Sequence, residues 1–165
     1  GSPLFLDTFT ALGANPTQMS WADAQPAMAS GAVDGQENPI AVYQAAKLHT
    51  VAQKHITMWG YVNDPLVFVV NKDIWNSWTP ADREIVKQAA LDAGKEEIAI
   101  ARKGMVEADK PLLKEIAANG VTVTQLSAAE REAFVKATRP VYDKWKNQIG
   151  ADLVTAAEKA IAARK

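Results

Sequence analysis

The sequence predicts an α/β fold, and three observations carry that prediction. Short apolar stretches alternate with helical patterns through the first part of the chain, as in a layered structure with parallel strand pairing. Leu66-Val67-Phe68-Val69-Val70 is an unbroken apolar run, the pattern of a strand covered on both faces. The charge is uneven. Residues 1–63 hold only six charged side chains (Asp7, Asp23, Asp34, Glu37, Lys47 and Lys54), and the rest lie in 64–165. The first part is therefore expected to be largely enclosed, or to face a partner or a cleft. The second part reads as helices with solvated faces.

Each element has a local reason. Ser2-Pro3 is a cap followed by proline at the first helical position, and Gly13 stands past the end. Leu4, Phe5, Thr8 and Leu12 form one face between them. Residues 15–19 are a candidate strand. Ser20-Trp21-Ala22-Asp23 resembles a capping box with Asp for Glu, and the helix it opens runs past Pro26 to Gly31. Residues 32–36 are a short extended piece. Asn38-Pro39 repeats the cap-plus-proline signal, with Asn38 as N-cap of a helix to about Leu48. Residues 55–61 and 66–70 are the two clearest strands.

The second part is nearly all helix. Residues 71–78 form a short one, and Thr79-Pro80 opens a long one. Ile98, Ala101, Met105, Ala108, Leu112 and Ile116 keep one face at spacings of three and four, which carries the helical pattern toward Pro111, where a kink is expected. From Pro80 to Asp109 such a helix would be about 45 Å long, enough to lie across two lobes. Residues 121–125 alternate like a strand. Ser127-Ala128-Ala129-Glu130 is a capping box, and its helix is expected to be disrupted at Pro140 and to stop at Gly150. An Ala-rich helix ends the chain.

Composition excludes whole classes of chemistry. The 165 residues contain no cysteine, which removes disulfides, thiolate nucleophiles and Cys-ligated metals. That usage fits an exported chain without requiring one. The net charge of −1 and the lack of a basic stripe argue against nucleic acid. No apolar run approaches the roughly 20 residues that span a bilayer. No charged leader and apolar stretch open the chain, so no signal peptide is read at its start. That fits a form from which one has been removed, a truncated form, or one never exported; Gly1-Ser2 is either native or a cloning remnant.

Most catalytic templates fail. His49 and His55 are six apart and share no helical face, so they read as surface or packing residues rather than metal ligands. No P-loop, Gly-x-Ser-x-Gly or Gly-x-Gly-x-x-Gly is present. Asp34 and Glu37 are the only close carboxylates in the weakly charged part. They could act as an acid–base pair, although turn and cap hydrogen bonds suit them better.

Two constellations remain. Gly31-Ala32-Val33-Asp34-Gly35-Gln36-Glu37-Asn38-Pro39 gathers glycines, acids, amides and a proline between two helices. Asn38 carries both a donor and an acceptor and could face a ligand, but its local pattern favours a plain N-cap. The second constellation is aromatic: Trp21, Trp59 and Tyr61. Trp59 and Tyr61 share a face if their segment is a strand. Such rings form either a small-ligand wall or ordinary core. Trp75, Trp78 and Trp145 read as packing residues.

The stretch 31–39, with Gly13-Ala14-Asn15-Pro16 before it and the run 66–70, Asn71, Trp75 and Thr79-Pro80 after it, resembles the signature of DctP-type solute-binding proteins of TRAP transporters. The resemblance implies the C-terminal half of a two-lobed periplasmic binding protein of type II-like α/β fold, with a long helix bridging the lobes. Residues 1–63 would be part of the ligand-binding second lobe; residues 64–165 would hold the crossover strand, the bridging helix and the C-terminal helices.

The implied activity is capture of a small organic acid and its delivery to TRAP membrane permease subunits, with no enzymatic step, cofactor or metal. Asn38 would contact the ligand and Trp21 would stack on it, while Glu37, Trp59, Tyr61 and the rest of 59–63 line the cleft. Many relatives have a histidine near Tyr61, and the departure here bears on which acid is bound. The arginine that clamps the ligand carboxylate would fall just before Gly1. Apolar surface left uncovered by a missing half predicts self-association or strand exchange. An α/β enzyme using Asp34 or Glu37, and a helical interaction module anchored by tryptophans, are the alternatives.

Overall fold

The computed structural model describes residues 2–62, 65–103, 105 and 110–163. They form two compact units, residues 1–36 with 125–165 and residues 37–124.

In the first unit α1 (Pro3–Ala11) and α2 (Trp21–Ser30) precede α7 (Ala128–Ile149) and α8 (Ala151–Ala162). The caps expected at Ser20 and Ser127 are realised, while Ser2 takes the N-cap position of α1 without a side-chain cap bond. Ser20 Oγ accepts from the Asp23 amide at 3.2 Å, and Ser127 with Glu130 forms a complete capping box. Helix α7 runs unbroken through Pro140, contrary to the expected disruption. Proline removes one backbone donor there, but α7 is also held from the sides. Asp7 of α1 accepts from Lys144 Nζ and Trp145 Nε1, both at 2.7 Å. Tyr142 donates to Glu158 of α8, with the Arg139 guanidinium 4.2 Å above its ring. Thr8, Met28 and Val141 are buried in this unit.

The second unit has a dense part and an open part. Its buried residues are Tyr43, Leu48, Leu113, Ile116 and Val121. They come from α3 (Ile40–Ala45), a 3₁₀ turn (Leu48–Thr50), α6 (Pro111–Ala118) and the residue before β2 (Thr122–Gln125). Strand β2 pairs in parallel with β1 (His55–Met58), where the Thr122 amide donates to the Lys54 carbonyl at 2.9 Å.

The open part follows β1. Residues 66–70 belong to no strand among the described residues, and Leu66, Val67 and Val69 are about four-fifths exposed. The run has the composition of a doubly covered strand and lacks the cover here. Residues 15–19 and 32–36 likewise join no sheet. Helix α4 (Lys72–Ser77) is capped by Asn71, whose Oδ1 accepts from the amides of Asp73 and Ile74. Arg83 of α5 (Pro80–Arg102) donates to the carbonyls of Trp75 and Asn76, which ties the two helices together. No residue of α5 is buried.

Helix α5 is shorter than expected: 23 residues, about 35 Å. It stops at Lys103, whose ψ of 130° is extended, well before Pro111. Ala108 of the expected face lies outside the described residues. Pro111 then starts α6 rather than kinking a continuous helix, because its fixed φ suits the first helical position. The expected enclosure of residues 1–63 is also not met. Among its described residues only Thr8, Met28, Tyr43 and Leu48 are buried, so most of its apolar surface is half-covered or open.

Candidate functional site

The motif begins at the end of α2. Gly31, with φ of +74°, turns the chain out of the helix, and the Ala32 amide returns to the Ala27 carbonyl at 2.9 Å. Residues 32–34 bend, and 35–39 run without regular structure into α3. Gln36 ends one unit and Glu37 begins the other. Glu37 and Asn38 are half-buried, while Asp34 is exposed.

Asn38 is not the N-cap of α3. The first helical bonds, from the amides of Val42 and Tyr43, both reach the Pro39 carbonyl, at 3.0 and 3.1 Å. Pro39 has ψ of 146° and occupies the N-cap position, with no side-chain cap bond. A proline whose ψ is extended is not yet in the helix, so the helix starts one residue later than its sequence signal suggests. Asn38 thereby sits one position outside the helix, and the plain N-cap reading of its amide fails. Behind it the backbone is well fixed. Tyr43 is 3 % exposed and donates its hydroxyl proton to the Gln53 carbonyl, and Gln44 Nε2 reaches Glu115 Oε1 at 2.6 Å. Burial pushes the Tyr43 phenol up from its usual pKa, so it stays a neutral donor.

Trp59 and Tyr61 lie just beyond β1, which ends at Met58 rather than at Tyr61. Their rings stack at 4.6 Å between centroids and 5° between planes, and both residues are half-buried. Side chains two residues apart on a regular strand would be roughly 6.6 Å apart. Gly60, with φ of +65°, is what brings them closer, by turning the chain between the two rings. Sequence reasoning missed this residue. The available signal was a lone glycine between two aromatics in an otherwise strand-like stretch. Asn63, the end of the stretch expected to line a cleft, lies outside the described residues.

Trp21 is the first residue of α2, in the other unit, and is 41 % exposed. The second unit holds the amide-bearing segment and the stacked aromatic pair, and the first unit, taken by itself, holds an exposed indole. An amide and ring faces can bind and orient a polar organic molecule. Among the described residues no group of three or more His, Asp or Glu side chains could hold a metal ion. His49 lies in the 3₁₀ turn and His55 is exposed at the start of β1.

Residues 1–148 match the model of bacterial extracellular solute-binding protein family 7, DctP. A TRAP periplasmic solute-binding protein of Ralstonia eutropha H16, solved with bound (S)-2-acetolactate, is 72 % identical. It covers 99 % of this chain with a TM-score of 0.96, and the match takes in 52 % of that protein. A solute-binding protein of Verminephrobacter eiseniae is 32 % identical over 149 residues, 90 % of this chain and 42 % of the relative. The C4-dicarboxylate-binding periplasmic protein of Rhodobacter capsulatus is 32 % identical over 153 residues, 92 % of this chain and 44 % of the relative. The chain therefore spans about half the length of the relatives it matches.

Proposed function

Because the chain belongs to bacterial extracellular solute-binding protein family 7, we propose that it forms half of a periplasmic receptor that captures a small branched hydroxy or keto acid of the 2-acetolactate kind for a TRAP permease. Members of this family are periplasmic solute-binding proteins of TRAP transporters, and the relatives are not enzymes. The observation that carries the reading is the 72 % identity and 0.96 TM-score, over nearly the whole chain, to a protein holding 2-acetolactate.

The chain's own chemistry supports it. Asn38 carries a donor and an acceptor one position outside the helix, next to Pro39 at the N-cap. Trp59 and Tyr61 supply an apolar wall, and Glu37 stands beside the amide in the same half-buried stretch. Trp21 keeps its role by resemblance alone, and its own substitution tests it. The first arginine of the chain is Arg83, which is occupied with backbone carbonyls. In this reading the carboxylate is clamped by an arginine from the half of the relatives that this chain does not match, and the chain is the C-terminal half.

Calorimetry decides the matter. 2-Acetolactate and succinate are titrated into the chain, alone and mixed with the unmatched half of the Ralstonia eutropha protein. The expected result is binding of 2-acetolactate in the mixture, weakened about tenfold or more by Asn38→Ala. Failure of every acid to bind refutes the receptor; full affinity in the variant refutes the role of Asn38.

A further inference from the structure

We infer that Tyr43 is a positioning residue for Asn38: its buried hydroxyl fastens the segment that carries the amide to the entry of β1, and so sets where the amide stands. This rests on the binding role proposed for Asn38 above. The segment needs such an anchor. Residues 35–39 have no regular structure, and Pro39 starts α3 without a side-chain cap bond. Helix α3 is six residues long, too short to hold its shape on its own. Its place, and that of Asn38 just ahead of it, therefore depends on what its side chains grip.

Tyr43 grips from both ends. Its amide donates to the Pro39 carbonyl at 3.1 Å, next to Asn38, and its hydroxyl donates to the Gln53 carbonyl. The Gln53 amide in turn donates to the carbonyl of the fully buried Leu48 at 3.4 Å. One residue on, the Lys54 carbonyl accepts from the Thr122 amide where β1 meets β2. A path of bonds thus runs from the residue beside Asn38 to the sheet of the same unit. Gln44 also reaches out of α3, to Glu115, but that bond is exposed and competes with water. The Tyr43 bond lies behind a residue only 3 % exposed, where an unmade bond is costly, so it is the firmer constraint. The ring and the hydroxyl have separate tasks: the ring fills the core, and the hydroxyl fixes the position.

Tyr43→Phe keeps the ring and removes only the hydroxyl. The first readout is the pair of Asn38 side-chain amide proton resonances in NMR spectra, which needs no ligand. The second is the association constant for 2-acetolactate in the mixture described above, with Tyr43→Phe placed in the parent chain and in Asn38→Ala. The resonances are expected to move. The affinity is expected to fall about threefold or more in the parent chain and to stay unchanged in Asn38→Ala, because two residues acting through one contact do not lose it twice. Unmoved resonances, or an unchanged affinity in the parent chain, would leave Tyr43 a core residue only and overturn the inference, whatever the loss of stability. An equal fall in both backgrounds overturns it too, since Tyr43 would then act on binding without Asn38. Full affinity in Asn38→Ala alone refutes the role of Asn38, and this one with it. If no acid binds, the receptor falls and the positioning role falls with it, while the resonances still decide whether the hydroxyl fixes the segment. If Tyr43→Phe does not fold, Ala52→Val takes its place. Ala52 is exposed and has φ of +67°, which a β-branched residue resists, so the change turns the neighbouring Gln53 carbonyl away from the hydroxyl. The same two changes are expected there, and their absence overturns the inference.

Discussion

Two stretches of the second unit carry large apolar side chains that end in opposite states. Leu113, Ile116 and Val121 are buried, with Ile116 fully so. Leu66, Val67, Phe68 and Val69 are 73–81 % exposed. The difference is not hydrophobicity. In the first stretch the partners come from far along the chain: β1 pairs with β2, and Gln44 bonds Glu115 across 71 positions, with Tyr43 and Leu48 buried too. Among the described residues, the second stretch lies beside α4 and α5. These leave a groove of about 570 Å³ lined by Phe68, Val70, Trp75, Val86 and Leu91 among others. Apolar sequence states a capacity for burial; whether that capacity is used depends on what else the chain supplies.

The largest effect should come from breaking the buried stretch. Ile116→Ala removes a fully enclosed side chain and is expected to cost about 2–5 kcal/mol of stability. Val69→Ala should stay within about 0.5 kcal/mol at dilutions where the chain is monomeric, because Val69 is four-fifths exposed in the single chain. Urea denaturation of both variants at such dilutions measures the contrast. Equal losses there would mean that the run is covered within one copy.

Cover in solution is the second expectation, with a second copy of the chain as its source. An uncharged, apolar run with no strand partner among the described residues is a candidate for pairing with another copy. Sedimentation should show concentration-dependent association of the chain, weakened about a hundredfold by Phe68→Asp, since a carboxylate cannot enter an apolar contact cheaply. A monomer at all concentrations would leave the run bare and overturn the expectation.

What the sequence made legible divides along the same line. Helix starts at Ser20, Asn71, Thr79 and Ser127 could be read directly, because a cap is a bond between residues two or three apart. Strands depend on distant partners, so 15–19 and 66–70 look like strands and join no sheet, whereas β1 at 55–58 pairs with β2 at 122–125, far along the chain. Site residues followed the same rule in reverse. The motif around Asn38 was visible, but its misreading as an N-cap turned on the ψ of Pro39, which no neighbour announces. The stack of Trp59 on Tyr61 required the φ of Gly60, which composition only hints at.

The capping box sharpens the contrast from the local side. Ser127→Ala removes the acceptor for the Glu130 amide and is expected to cost about 1 kcal/mol, with the loss of helicity confined to the start of α7. Circular dichroism and thermal unfolding read both. A loss as large as that of Ile116→Ala would make local bonds the equal of core burial in this chain.

The smallest effect belongs to a contact that is specific without being buried. Asp7 joins α1 to α7 through Lys144 and Trp145, and those hydrogen bonds, with the Lys144 charge, hold its carboxyl below the usual pKa. A depressed carboxylate pKa stabilises the fold above the ordinary aspartate range and ceases to do so as pH falls through the lowered value. Asp7→Asn should therefore lower the denaturation midpoint near pH 7, and the gap to the parent should close as the medium is made strongly acidic. High salt should shrink the part due to Lys144 and spare the Trp145 bond, because screening acts on charge and not on the indole N–H. A gap that is the same at pH 7 and pH 2 would mean that Asp7 acts through shape rather than charge, and the tie between α1 and α7 would then be packing, as it is around Ile116.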